Sequence, residues 1–121
     1  MDSRHVYFKK VQLKGDGKKP LVLSEFGGKT YKAEGHIFNP EKSYGYGGCE
    51  TLEELNRAVA ALYTEEIIPC IANGLCASIY TQVSDVEDEI NGLLTYDREV
   101  EKLEPDVMLP VARALYRAIE G

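Results

Sequence analysis

The chain has 121 residues, 44% hydrophobic and 28% charged, the profile of one ordinary globular domain. Its net charge of −6 offers no footprint for a phosphate backbone, so nucleic-acid binding is not expected. No apolar run reaches membrane-spanning length and no charged region followed by a greasy one opens the chain, so no membrane partner and a cytoplasmic location are expected.

The opening, His5-Val6-Tyr7-Phe8, reads as a strand end, and Lys9 to Leu13 is ambiguous between strand and short helix. Lys14-Gly15-Asp16-Gly17-Lys18-Lys19 is a solvated turn. It lacks the G-x-x-x-x-G-K-[ST] spacing of a phosphate loop and precedes a strand instead of following one. That strand, residues 20–25, is apolar without alternation and so reads as buried on both faces. Pro20 suits its first position, Glu25 stands at its end, and Gly27-Gly28 permit the sharp turn that follows.

Lys29 to Glu50 forms a long loop holding Tyr31, His36, Phe38, Tyr44 and Tyr46. Disorder depletes aromatics, so this loop is expected to pack beside the Glu25 strand end and to be functional. A helix over 51–73 follows. Thr51 and Glu54 make a capping box, Leu52, Leu55, Val59 and Leu62 share one face, Pro69 kinks or ends it, and Asn73-Gly74 stop it. Residues 75–80 read as a second buried strand. Strand, helix, strand makes a βαβ unit with parallel strands and a right-handed crossover.

Thr81 to Lys102 is another long segment, with Asp85, Glu87, Asp88 and Glu89 clustered near its start. Counted from Asp85 as an EF-hand loop, the sixth residue is Ile90 where glycine is needed, so a solvated acidic loop is expected and no metal site. The closing helix, residues 106–119, has Val107, Val111, Leu115 and Ile119 on one face. Cys49, Cys70 and Cys76 show no C-x-x-C spacing, which argues against zinc and disulfides. Cys70 and Cys76 read as small buried hydrophobes.

Two or three parallel strands do not make a stable sheet alone, so the fold class expected is α/β, a partial (β/α)8 TIM barrel carrying its last βα units. In such barrels the chemistry lies at the carboxyl rim. There Glu25 would meet Tyr46, Tyr80 and Tyr7, and a carboxylate among aromatic rings suits a sugar.

The run Leu21-Val22-Leu23-Ser24-Glu25-Phe26-Gly27-Gly28 resembles the nucleophile strand of glycoside hydrolase family 2, which contains β-galactosidases, β-glucuronidases and β-mannosidases. Tyr80-Thr81-Gln82-Val83-Ser84-Asp85-Val86-Glu87-Asp88-Glu89, continuing through Asn91-Gly92-Leu93-Leu94-Thr95-Tyr96-Asp97-Arg98, is similar to the last barrel strand and following loop of a bacterial branch of that family. The resemblance runs from about His5 onward. It implies a retaining β-glycosidase with Glu25 as nucleophile, Tyr80 at a position where relatives carry a sugar-stacking tryptophan, and His5 and Tyr7 on the rim of the preceding strand; no cofactor is implied. The family's acid/base glutamate belongs to an Asn-Glu pair on an upstream strand, and no Asn-Glu pair occurs here. Asp85 and Glu87 are not expected to replace it. The chain is therefore expected to be a C-terminal barrel segment, inactive alone, whose open edges favour self-association or a companion chain. The alternative is a non-enzymatic module that binds carbohydrate or protein through the aromatic loop.

Overall fold

The structure, a computed structural model, describes residues 1–39 and 48–120. Its elements in order are β1 (Asp2–Val6), β2 (Leu21–Gly27), β3 (Thr30–Tyr31), β4 (Gly48–Cys49), α1 (Leu52–Ala61), α2 (Ile68–Ile71), β5 (Leu75–Thr81) and α3 (Pro105–Glu120). The main sheet has three strands in the order β1-β2-β5, all parallel, so the expected βαβ unit is present. β3 and β4 form a separate short parallel pair. The fold is thus mixed α/β with a parallel sheet. Three strands do not close a barrel.

Helix formation follows the local chemistry. The Thr51 hydroxyl accepts from the Glu54 N–H at 3.1 Å, and the Glu54 carboxylate reaches back to the Glu50 N–H at 3.0 Å. α1 and α2 are parts of one helical run, joined by a π-helical stretch over Leu62–Ile67. Pro69 therefore neither ends nor breaks the run. Its ring would collide with the carbonyl four residues back in a regular helix, and the wider π turn, in which the Ile68 N–H reaches Tyr63 O, relieves that. The stop comes at Gly74, with φ +103°, as Asn73-Gly74 implied.

Helices cover one face of the sheet. Val6, Leu21, Leu23 and Phe26 from the strands pack with Leu62, Ile67 and Cys70 from the helical run, and Leu115 of α3 lies against them. β2 is consequently buried on one face only, which corrects the expectation of two: Val22 and Ser24 stay partly exposed because no second layer covers them. β5 is likewise an edge strand, with Leu75 buried and Cys76, Ala77 and Ile79 exposed, not a buried one. Cys70 is buried as expected, but Cys76 is exposed. Its position is the extra residue where β5 slips against β2, between the pairs Leu21–Leu75 and Val22–Ala77.

The two long segments pack on each other beyond the strand ends. Lys102 carries a fully buried ammonium that donates to Asp85 Oδ1 at 2.8 Å, Ile90 O at 3.0 Å and Tyr31 O at 3.1 Å. Asp85 also accepts from the Gly92 N–H at 2.8 Å. The acidic segment is therefore not simply solvated: its first carboxylate is the anchor of a buried ion pair. Asn56 of α1 ties in the same region, donating to Lys102 O and accepting from the Glu104 N–H. No helix among the described residues is long and apolar enough to cross a membrane.

Candidate functional site at the Glu25 strand end

A register irregularity in β2 aims Glu25. Leu21 and Leu23 face the helices, and strict alternation would send residue 25 inward after them. Instead Leu23 pairs with Arg4 and Glu25 with the next residue, His5, so β2 carries one extra residue, Ser24. The same extra residue appears against β5, where Leu23 pairs with Ser78 and Phe26 with Tyr80. This bulge returns Phe26 to the core and leaves Glu25 partly exposed. The Ser24 hydroxyl donates to Arg4 O at 3.2 Å and contacts the Ser3 hydroxyl, closing the bulge onto β1.

Pairing with β1 then supplies the neighbours of the carboxylate. His5 Nδ1 lies 3.1 Å from Glu25 Oε2, and the Tyr7 hydroxyl donates to the same oxygen at 3.2 Å. Both contacts fall on Oε2. Glu25, His5 and Tyr7 are thus brought together as the sequence suggested. Burial raises the Tyr7 phenol above its ordinary pKa; the Thr81 side chain pulls the other way, and the Glu25 and Glu89 carboxylates add to the rise. Tyr7 therefore stays protonated at neutral pH and acts as a donor that fixes the rotamer of Glu25.

Tyr80 sits elsewhere. Its ring meets Phe26 edge-on at 5.5 Å and stacks with Tyr63 at 6.5 Å, on the helix side of the sheet and away from the Glu25 carboxylate. It covers Gly27, where a Cβ would stand 2.4 Å from Tyr80 Cε2 and where φ is +93°. The Tyr80 hydroxyl is buried and meets no hydrogen-bond partner of good geometry among the described residues, and burial pushes its pKa far up. Tyr46 lies outside the described residues.

The aromatic loop does pack on the acidic segment. His36 Nδ1 lies 2.8 Å from Asp97 Oδ2 and 3.8 Å from Glu99 Oε2, and Phe38 meets Tyr96 edge-on at 5.8 Å. The Thr95 hydroxyl, the His36 ring and the Glu99 N–H hold the Asp97 carboxyl down at about 2. His36, Asp97 and Glu99 are the described residues whose donor atoms could surround a metal ion, a grouping that the spacing of the acidic residues did not suggest. Their exposure and their pairing with one another explain them equally as a clasp between segments.

No protein-family model matches the chain, and no curated protein is similar to it. A carboxylate with one oxygen accepting from the Tyr7 hydroxyl beside the His5 ring, and the other without a partner among the described residues, can act as an oriented nucleophile or as an acceptor for a ligand hydroxyl. Asp85, locked to Lys102, is not available as its partner.

Proposed function

We propose that this chain carries the nucleophile half of a retaining β-glycosidase site, on the closing segment of a (β/α)8 barrel, with Glu25 as nucleophile. The observation that supports it most is the arrangement at Glu25 Oε2, where His5 and Tyr7 hold one carboxylate oxygen. The other oxygen, without a partner among the described residues, would attack an anomeric carbon. Retaining chemistry needs a second carboxyl group about 5–5.5 Å away to protonate the leaving group. In this reading that acid/base comes from barrel strands outside the 121 residues. The chain alone is then silent toward ordinary glycosides, whose alkoxide leaving groups require a proton.

An activated substrate separates nucleophile from acid/base. A dinitrophenyl 2-deoxy-2-fluoro-β-glycoside has a leaving group that departs without a proton, and its fluorine slows hydrolysis of the ester that forms. Incubating the chain with the galactoside and the glucuronide, followed by peptide mass spectrometry, should place one glycosyl group on Glu25. Glu25→Gln should show none. No adduct with either sugar, or an adduct on another residue, overturns the proposal. Calorimetric sugar binding that survives Glu25→Gln, without an adduct, would favour the binding module instead.

A further inference from the structure

The two edges of the main sheet are built differently. β1 presents Asp2 and Arg4, joined at 2.7 Å, and charged edges of this kind resist pairing with another strand. β5 carries no charge at all, and no charged side chain occurs anywhere between Glu66 and Asp85. Beside β5 runs an apolar cavity of about 420 Å³ lined by Ile67, Ile71, Leu75, Leu115 and Ile119. Ile79 on the strand is 58% exposed, and Tyr116 and Ile119 on α3 are each 69% exposed.

From this asymmetry we infer that β5 is an interaction surface for a second copy of the chain. The pairing is antiparallel, β5 on β5, about a twofold axis normal to the sheet. The inference concerns the 121-residue chain by itself, where no further barrel strand competes for the β5 edge, and it does not rest on the glycosidase reading. An uncharged strand meets itself without placing like charges opposite one another, whereas β1 added to the same edge would carry Asp2 and Arg4 toward an apolar groove. Twofold pairing gives a continuous six-stranded sheet with all helices on one face, within the usual size of sheets. It also sets the two α3 helices side by side across the junction. There Tyr116 and Ile119 of each copy cover the cavity of the other.

Sedimentation equilibrium of the full chain, from micromolar to near-millimolar concentration, tests this. A species of twice the 13.5 kDa chain mass is expected. Ile79→Lys sets like charges near each other across the axis and should weaken association by at least about tenfold, as should Ile119→Glu. Arg4→Gln, on the other edge, should leave it unchanged. Circular dichroism confirms that each variant remains folded. Both substituted side chains are mostly solvent-exposed in the single chain, so loss of folding is not expected. A chain monomeric at every concentration overturns the inference and leaves the β5 edge to a strand from another polypeptide. Association indifferent to Ile79→Lys and Ile119→Glu, or abolished by Arg4→Gln, overturns it as well.

Discussion

Replacing Lys102 with methionine should be among the most damaging single changes in this chain. The Lys102 side chain is 0% exposed and that of Asp85 only 4%, so the substitution leaves a carboxylate buried without its countercharge. Tyr31 O and Ile90 O lose their donor at the same time. Breaking a buried pair in this way costs about 3–5 kcal/mol. Desolvation, however, already lowers the Lys102 pKa against the pull of Asp85, so the ammonium carries a burial cost that its removal gives back. The lower end, about 3 kcal/mol, is therefore expected. A domain stable by about 5–15 kcal/mol would survive with a clearly shifted urea midpoint. Asp85→Asn should cost less, because the ammonium keeps both carbonyls. The double variant should cost less than the two single changes added together, with a coupling above about 1 kcal/mol. Lys102→Met costing under about 1 kcal/mol, or strict additivity, would refute the view that this pair organises the 81–102 segment, from which Lys102 reaches Tyr31 O.

Gly27→Ala meets both the Tyr80 ring and a left-handed backbone, so a loss of about 1–3 kcal/mol is expected in urea melts. Tyr80→Phe deletes a buried hydroxyl with no well-formed hydrogen bond among the described residues and should be neutral or stabilising by up to about 1 kcal/mol, whereas a destabilisation above about 1 kcal/mol would mean the hydroxyl has a partner. The Asp97 carboxyl is depressed in the folded chain from its ordinary 3.8 to about 2, so its contribution is complete above about pH 4 and is lost as pH falls toward 2. Asp97→Asn should therefore lower stability at neutral pH and flatten the acid limb of a stability-against-pH curve.

Local signals in the sequence read true where the chemistry is local. Thr51 and Glu54 cap α1, Gly27, Gly28 and Gly74 take the positive φ that their turns require, and the βαβ order yields parallel strands. What escaped depends on residues far apart. Lys102 and Asp85 are 17 positions from one another in segments without periodicity, and nothing in either neighbourhood marks them as partners. Burial on both faces of β2 and β5 was inferred from apolar runs, but an apolar run reports only that a strand has something to bury. It does not report whether a second layer is there to bury it, and among the described residues none is. Tyr7 was legible beside Glu25 as an aromatic on the same rim, whereas His5 was legible there only through the resemblance. The exposed edge at β5 follows from strand order, which composition does not encode.

One irregularity reconciles the two demands on β2. The strand must supply the core residues Leu21, Leu23 and Phe26, and it must also deliver a carboxylate to the rim. A regular strand cannot do both with glutamate at an odd position, because the period of two fixes its face. The extra residue at Ser24 resolves the conflict with one local change and no rearrangement of the helices. The signal was present as a broken alternation: apolar side chains at 21, 23 and 26, with a carboxylate at 25. Core packing alone gives no reason to keep such a break, since a residue such as leucine at 25 in a regular strand would bury more. A bulge that costs ladder hydrogen bonds, yet brings a carboxylate to His5 and Tyr7, is what the proposed nucleophile role would require. The shape of β2 is thus set by two placements at once, Phe26 in the core and Glu25 at the rim.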